Sequence, residues 1–224
     1  MKKAFTLLEL LISIAIISIL AAIIFPIFKH IKLQSYKTQS ISNIKQLGIA
    51  WKLYSEDYDE VLMRNYMNYT YWFGDTKGSI LNQYVNVKYI KDPFLTYIRH
   101  NAPNFYIGYS YNYYLSPFDD HGNPISINYN QISDTSNTVV FATSLGVFNI
   151  NNKEDYYAPQ ILYSPSMYFP SYFAPYNGTG TILWADLHTT SRIPNYYNMR
   201  YKKYNVGTID SDGLINTDEL FDLN

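Results

Sequence analysis

The chain has 224 residues, of which 47% are hydrophobic, so it can form one substantial domain with accessory segments. Its formal net charge is −1, which gives no electrostatic case for a nucleic-acid partner. It contains no cysteine, which excludes disulfides and thiolate zinc sites and leaves the compartment open.

The first predicted element is an apolar segment at residues 5–28, interrupted only by Glu9 near its start. It is longer than the about 20 residues that cross a hydrocarbon layer, and longer than the roughly 7–15-residue apolar region of a secretory signal. Pro26 lacks the N–H group that the helical ladder needs, which predicts a kink. The segment therefore predicts a membrane helix that is kinked near its far end.

Glu9 is costly in this segment, because an ionised carboxylate at the centre of a bilayer costs about 2.5–3.5 kcal/mol. One interpretation is a glutamate in the first helical turn, favoured by the helix dipole and reaching back to water. The other interpretation, which we favour, is that Glu9 is retained for a cationic partner.

The residues Lys2–Glu9, with the sequence KKAFTLLE, resemble the leader of type IV pilins and of type II secretion pseudopilins. The resemblance implies that a prepilin peptidase cleaves between Ala4 and Phe5 and that the new amino group of Phe5 is methylated. It also implies that Glu9 pairs with the N-terminus of a neighbouring subunit. The family usually has glycine where this chain has Ala4, so we expect slower processing.

The resemblance implies a precursor in the bacterial inner membrane, with its N-terminus in the cytoplasm and its globular part in the periplasm. After assembly the subunit would belong to a cell-surface or periplasmic filament. The implied partners are other pilin-like subunits, prepilin peptidase, an inner-membrane assembly platform and membrane lipid. The flanking cations alone weakly favour the opposite orientation, because Lys29, Lys32 and Lys37 outnumber Lys2 and Lys3.

The helix is predicted to continue past the membrane to about Tyr58. Apolar residues recur at helical spacing in a stripe formed by Ile41, Ile44, Leu47, Trp51, Tyr54 and Tyr58. Lys52 and Glu56 lie off the stripe as an i,i+4 ion pair. A continuous helix from Phe5 would be about 80 Å long. The expected fold is α+β, a pilin-like ladle whose long N-terminal helix packs on a small antiparallel β-sheet with long loops.

Two further segments, Ser40–Gly48 and Tyr54–Glu60, resemble pilin-like proteins that carry a DUF1559-type domain, also called H-X9-DG proteins. Those proteins often have cysteines where this chain has Ser40 and Asp92. Both cysteines are absent together here, as expected if a disulfide had been lost as a unit.

The third match to these proteins is the segment Tyr176–His188. Tyr176 replaces the first histidine of the family pattern and Leu187 replaces its glycine, while Asp186 and His188 are retained. Any site built on the first histidine is therefore in doubt.

The remaining sequence predicts short strands and loops. Strands are expected at 138–143 and 181–185, with another at 106–115, and long loops at 117–137 and 146–178. The predicted organisation is a leader (1–4), a transmembrane or filament-core helix (5–28), an amphipathic helix (29–60), a β-rich globular domain (61–204) and an acidic C-terminal tail (205–224).

Known catalytic motifs are absent from the sequence: it has no nucleophile elbow, no His-Glu-x-x-His and no phosphate-binding glycine loop. The Asp186-x-His188 pair is predicted on one face of a strand, where a hydrogen-bonded pair is favoured over a catalytic or metal-binding pair. The Asp119–Gly122 segment is interpreted as a turn rather than a metal cluster.

The tail segment Thr208–Glu219 overlays the twelve-residue calcium loop. Asp210 and Asp212 take positions three and five, and Glu219 takes the bidentate twelfth position. Thr208 stands at position one, where the pattern has aspartate. The alternatives are a calcium site and a plain acidic tail, and no other cofactor is expected.

Taken together, the sequence predicts a non-enzymatic pilin-like structural subunit. Two alternatives stay open. The first is a membrane-anchored surface module that binds through its Tyr/Asn-rich loops, and the second is an anchored hydrolase that uses Asp186 and His188.

Overall fold

The computed structural model describes residues 6–67, 70–73, 79–98, 107–119, 122–150, 153–157, 161–162, 171–195, 206–209 and 220–221. The chain divides into two compact units, residues 1–35 and residues 36–224. Its helices are α1 (Leu7–Asp57) and α2 (Pro93–Ile98), with 3-10 turns at Ile80–Gln83, Val87–Tyr89, Tyr113–Leu115 and Tyr129–Gln131. Its strands are β1 (Tyr66–Met67), β2 (Thr70–Tyr71), β3 (Tyr109–Asn112), β4 (Val139–Thr143), β5 (Gly146–Ile150), β6 (Lys153–Tyr157), β7 (Ile161–Leu162), β8 (Tyr172–Phe173), β9 (Gly180–Trp184), β10 (Thr189–Arg192) and β11 (Val206–Gly207).

Helix α1 confirms the predicted continuous helix, running from Leu7 to Asp57 without a break at Pro26. The kink at Pro26 stays a prediction. The helix ends where Asp59 and Glu60 adopt positive φ values of 54° and 63°. This reversal brings Glu60 back beside the helix, so Lys52 forms its ion pair with Glu60 at 3.0 Å. The predicted pairing of Lys52 with Glu56 is therefore wrong.

The first unit is an apolar helix with its side chains exposed. From Leu7 to Ile31, the exposed fractions of the large hydrophobic residues range from 49% at Ile12 to 81% at Leu7. Within the described residues, α1 is the one helix long and apolar enough to cross a membrane.

In the second unit a five-stranded sheet has the order β10-β9-β4-β3-β7. Three of its strand pairs are antiparallel, while β3 and β7 are parallel. The α+β class is confirmed, and the expectation of a purely antiparallel sheet is corrected to a mixed one. Strands β4 and β9 lie within one residue of their predicted bounds, and β3 is shorter than predicted because a 3-10 turn follows it.

The second half of α1 packs on this sheet through the predicted stripe. Ile44, Leu47 and Trp51 are each fully buried in a cluster that includes Tyr111, Phe141 and Leu183. The helix approaches the sheet closely at Gly48, where an added Cβ would lie 2.5 Å from Leu183 Cδ2. A larger residue at this position would separate the helix from β9.

The stripe is buried only in its middle. Ile41 is half-buried, and Tyr58 is 46% exposed and stacks on Tyr54 with ring centroids 4.4 Å apart. Of the six stripe residues, the four from Ile44 to Tyr54 are therefore the ones buried in the main hydrophobic cluster.

The two predicted long loops differ in outcome. Residues 122–137 are irregular apart from one 3-10 turn, as predicted. The prediction of a loop at 146–178 is wrong, because this stretch contains β5, β6, β7 and β8. Among the described residues, strands β5 and β6 pair with each other alone, with Ile150 opposite Lys153. The prediction rested on the Pro, Asn, Gly and Ser content of this stretch, and these residue types occur in the connections between short strands as well as in long loops.

Candidate functional site

Glu9 lies in the first turn of α1, in a capping box with Thr6. Its Oε2 accepts hydrogen bonds from the Thr6 backbone N–H at 2.9 Å and from Thr6 Oγ1 at 2.7 Å. The Glu9 N–H in turn donates to Thr6 Oγ1 at 3.2 Å. This reciprocal arrangement satisfies donors that a helix start otherwise leaves open. The sequence Thr-x-x-Glu before an apolar run is the signal for it.

The geometry leaves part of the Glu9 carboxylate available. Both bonds from Thr6 end on Oε2, and among the described residues no donor reaches Oε1. The neighbouring apolar side chains are exposed, with Leu8 at 66% and Leu11 at 54%. Glu9 is therefore a single acidic group, with a free oxygen, on an otherwise apolar helical surface. Ala4 and Phe5, the predicted cleavage and methylation positions, lie outside the described residues.

Three positions from separate sequence segments meet in the second unit. Ser40 Oγ on α1 donates to Asp92 Oδ2 at 2.8 Å, and the Tyr176 hydroxyl donates to the same oxygen at 2.6 Å. All three residues are at most 2% exposed. These are three of the positions that the resemblance to DUF1559-type proteins singled out in the sequence. The structure brings these three positions together.

Local structure holds each of these residues in place. Asp92 caps α2, since its Oδ1 accepts the N–H groups of Phe94 at 3.0 Å and Leu95 at 3.1 Å. Tyr176 begins a two-residue turn in which Asn177 and Gly178 have φ values of 54° and 79°. Asn-Gly is the sequence that such a turn favours, because both central residues need positive φ.

Tyr109 on β3 completes this buried group. Its hydroxyl lies 3.1 Å from Ser40 Oγ and donates to the Ser40 carbonyl oxygen at 3.3 Å. Burial raises the pKa of the Asp92 carboxyl above its usual value, although the hydrogen bonds from Tyr176 and Ser40 lower it. Burial also raises the pKa of the Tyr109 and Tyr176 hydroxyls, so both are neutral at physiological pH.

The Asp186–His188 pair is hydrogen-bonded, as predicted, but it lies in a turn rather than on a strand. Strand β9 ends at Trp184, and the Trp184 N–H donates to the His188 carbonyl at 3.1 Å. Asp186 Oδ1 accepts the His188 N–H at 3.0 Å and lies 2.5 Å from His188 Nδ1. The imidazole also stacks on the Trp184 ring, with centroids 5.6 Å apart. The pair therefore stabilises the β9–β10 turn.

Leu187 closes this turn in a left-handed conformation, with φ of 70°. Its N–H donates to the Trp184 carbonyl at 2.9 Å, which makes a three-residue hairpin loop of the kind that favours glycine at this position. The DUF1559-type pattern that this segment resembles has glycine at the corresponding position. The leucine compensates in part by packing against the main hydrophobic cluster.

Comparing two variants at this position isolates the backbone strain. Leu187→Ala and Leu187→Gly both remove the leucine packing, but only glycine removes the Cβ that disfavours positive φ. We expect Leu187→Gly to be more stable than Leu187→Ala by about 1 kcal/mol, since the left-handed penalty of roughly 1–2 kcal/mol exceeds the entropic cost of glycine. Urea unfolding measures the difference. Greater stability of the alanine variant would contradict the strained turn.

Sequence reasoning missed the Tyr109 and Arg192 contacts. The Arg192 guanidinium on β10 lies over the ring of Trp184 on β9 at 4.8 Å. This contact depends on the pairing of the two strands, which no residue pattern within one segment specifies. No sequence signal links Tyr109 to Ser40, which lies 69 positions away.

Of the predicted calcium ligands, only Thr208 lies within the described residues. It is 4% exposed, and its backbone exchanges hydrogen bonds with Asn195 at 3.0 and 3.1 Å. Its Oγ1 donates to the Asn195 carbonyl at 3.5 Å. Asp210, Asp212 and Glu219 lie outside the described residues. In the described part of the chain, no three His, Asp or Glu side chains are grouped to hold a metal.

The residues on both sides of the predicted loop are anchored. Ile209, Leu220 and Phe221 are all buried in the second hydrophobic cluster, together with Val139 and Trp184. The Leu220 carbonyl accepts the Val139 N–H at 2.8 Å, and the Phe221 carbonyl accepts Asn112 Nδ2 at 2.8 Å. The C-terminal segment is therefore attached to the sheet at both of these points.

Residues 1–25 match the family model described as the prokaryotic N-terminal methylation motif. The match supports a precursor similar to type IV pilins and pseudopilins, with an N-terminal membrane anchor. Proteins with this motif are processed by prepilin peptidase and assemble with other pilin-like subunits. No curated protein and no solved structure matches the chain.

Proposed function

We propose that this chain is a non-enzymatic pilin-like subunit that assembles into a type IV pilus or a type II secretion pseudopilus. The observation that carries the proposal is the exposed apolar helix with Glu9 in its first turn, joined to the methylation motif at residues 1–25. An apolar helix with no covering partner must be buried in lipid or against other helices, because exposed apolar surface is costly in water.

Glu9 has a different role in each environment, lipid and filament. In lipid the carboxylate is costly, and the bonds from Thr6 offset part of that cost. In a filament the free Oε1 accepts a hydrogen bond from the cationic amino group of Phe5 of a neighbouring subunit. This amino group is formed when the peptidase cuts between Ala4 and Phe5. A charge pair inside an apolar filament core is strong and sets the axial register between subunits. Assembly by this route needs no catalytic residue in the chain.

The proposed location follows from the same scheme. The precursor waits in the bacterial inner membrane with residues 29 onward in the periplasm, and it moves into a periplasmic or cell-surface filament on assembly. An inner-membrane assembly platform would extract it from the lipid. Removing the helix from the bilayer is feasible because subunit packing replaces lipid contact with protein contact of similar polarity.

We also propose that the globular part is of the DUF1559 type. The contact between Ser40 and Asp92 supports this, because the two family cysteines would need adjacent positions to form a disulfide. The positive φ of Leu187 adds support, since the family pattern has glycine there.

Calcium binding by the C-terminal loop is a further proposal. The anchored residues Ile209 and Leu220 flank a segment with the carboxylates Asp210, Asp212, Asp218 and Glu219. Carboxylates crowded into one segment repel each other, and calcium with its six to eight oxygen ligands relieves the repulsion. With Thr208 in the first position, we expect weak affinity, on the order of 10⁻⁴–10⁻³ M.

Isothermal titration with calcium tests this site. The wild-type chain should bind one ion, and Asp212→Ala should abolish binding, whereas the control Asp186→Ala, which removes a carboxylate elsewhere, should leave it unchanged. No uptake by the wild type at millimolar calcium would mean that the segment is only acidic.

Filament recovery tests the proposed function. Cells that express the chain together with its prepilin peptidase and assembly platform should release it, on shearing, in a fraction that sediments as filaments. The control is a peptidase-deficient strain, which should keep the whole chain in the membrane fraction. A chain that stays in the membrane in both strains would contradict the proposal.

A further inference from the structure

The buried carboxyl group of Asp92 lies where α1 is attached to the rest of the second unit, and the proposed assembly function does not use it. Asp92 is 1% exposed and is bonded to Ser40 on α1 and to Tyr176 in the turn before β9. Tyr109 on β3 contacts Ser40. We call Ser40, Asp92, Tyr109 and Tyr176 the Asp92 network. It links four separate segments of the chain: Ser40 and Tyr176 bond directly to the Asp92 carboxyl group, and Tyr109 is linked to it through Ser40.

The network is satisfied when Asp92 is ionised. Ser40 Oγ and the Tyr176 hydroxyl donate to Oδ2, while the N–H groups of Phe94 and Leu95 donate to Oδ1. Tyr109 then donates to Ser40, at either Oγ or the carbonyl oxygen. Each donor in the network has an acceptor in this state.

The network is equally satisfied when Asp92 is protonated on Oδ2. A hydroxyl group both donates and accepts, so the hydrogen bonds that link Asp92, Ser40 and Tyr109 can reverse their direction. Asp92 then donates to Ser40 Oγ across 2.8 Å, and Ser40 donates to the Tyr109 hydroxyl across 3.1 Å. Tyr109 donates to the Ser40 carbonyl across 3.3 Å. The series of hydrogen bonds therefore ends on a carbonyl oxygen, which is an acceptor only. The geometry therefore accommodates an added proton without leaving a buried polar group unpaired.

The two states differ in free energy because one carries a buried charge. Removing a carboxylate from water is costly, and burial favours its neutral form. Among the described residues, the titratable or charged groups on the surrounding elements are Tyr109, Tyr176, Lys37 on α1 and Lys91 beside Asp92. Both tyrosines have a raised pKa, so they stay neutral while Asp92 titrates. Lys37 donates to Thr179 Oγ1 at 3.3 Å, and the Lys91 carbonyl accepts Asn43 Nδ2 at 2.7 Å.

We propose that Asp92 is a proton-binding site that makes the attachment of α1 to the sheet depend on pH. The attachment is tighter when Asp92 is protonated and weaker when it is ionised. The sign follows from linkage: burial raises the pKa of Asp92 in the folded chain above its value of about 3.9 in the unfolded chain. The stabilisation is therefore complete below about pH 4 and is lost as the pH rises through the folded pKa.

Urea unfolding of the full chain in a non-ionic detergent, over a pH series from acid to neutral, tests the proposal. Where Asp92 is protonated in the folded state and ionised in the unfolded state, the unfolding equilibrium constant should rise up to tenfold per pH unit. Asp92→Asn removes the titrating group and should flatten this dependence. The control Glu56→Gln, which removes an exposed carboxylate of the same helix α1, should keep the wild-type dependence. An Asp92→Asn variant with the wild-type dependence would overturn the proposal.

Two further measurements on the wild type avoid any variant that fails to fold. Carboxyl NMR of the labelled chain should show one aspartate that titrates above the usual range, and titration of every aspartate within or below it would overturn the proposal. Hydrogen exchange, corrected for intrinsic rates, should show faster opening of the α1 amides around Ser40 as the pH rises. Equal opening at all pH values would also overturn it.

Discussion

Replacing Trp51 with alanine should destabilise the second unit by about 3–5 kcal/mol, the usual cost of truncating a fully buried tryptophan. Trp51 is 0% exposed, its Nε1 donates to the Tyr111 hydroxyl at 3.1 Å, and its ring lies 5.8 Å from that of Tyr129. Alanine would leave a cavity between α1 and the sheet. It would also remove the donor to the buried Tyr111 hydroxyl, which would keep its longer bond to the Leu115 carbonyl at 3.5 Å. The measurement is urea unfolding of a fragment that begins at residue 30, which retains α1 from there onward and every strand.

Two controls identify the source of this loss. Leu53→Ala changes the same helix two residues away, but Leu53 is 42% exposed. This variant should therefore lose less than about 1 kcal/mol of unfolding free energy. Trp51→Phe keeps most of the packing and removes the hydrogen bond, so its unfolding free energy should lie between those of Trp51→Ala and Leu53→Ala. Equal stability of Trp51→Ala and Leu53→Ala would contradict the packing of α1 on the sheet, and an unfolded wild-type fragment would contradict an independently folding second unit.

Removing the charge of Glu9 should prevent or strongly slow filament assembly while membrane insertion stays intact or improves. Glu9→Ala removes both the charge and the capping box with Thr6. Glu9→Gln removes the charge and keeps an acceptor for the cap, because glutamine also serves in capping boxes. Both variants should insert at least as well as the wild type, since a carboxylate is removed from lipid. Both should be absent from the sheared filament fraction.

The matched control for Glu9 is Thr6→Ala. It removes the hydroxyl that donates a hydrogen bond to Glu9 Oε2, but it keeps the Glu9 carboxylate. The lost cap should reduce helix stability by about 0.5–2 kcal/mol. Thr6→Ala should therefore assemble nearly as well as the wild type. If Thr6→Ala fails as completely as Glu9→Gln, Glu9 acts by capping its own helix and the docking role is wrong.

Local sequence patterns predicted the parts of the fold that local forces determine. The continuous α1 followed from helical spacing, and β4 and β9 followed from β-branched apolar runs. The β5–β6 pair was not predicted because its stretch of sequence has the Asn, Pro, Ser and Gly content of an irregular loop, and among the described residues these strands pair with each other alone. The pairing of Lys52 with Glu60 depends on two positive φ values that no residue type at Asp59 or Glu60 announces.

The functional residues divide in the same way. The leader, Phe5 and Glu9 belong to one contiguous motif, which the match to the methylation motif at residues 1–25 covers, so the sequence alone is enough to predict their roles. The Asp92 network cannot be found in this manner, because Asp92 lies 52 positions from Ser40 and 84 positions from Tyr176. Such contacts arise from how α1, α2 and the sheet pack together, and the pattern of a single segment carries no information about them. The resemblance named Ser40, Asp92 and Tyr176 separately, and only the structure joins them.

The most direct test of the central claim is the intact mass of the chain extracted from membranes of cells that contain prepilin peptidase. Processing as a pilin-like subunit predicts a chain that begins at Phe5 and carries one added methyl group, with a peptidase-deficient strain giving the unprocessed Met1 chain as the reference. An intact Met1 start in the presence of an active peptidase would contradict the account.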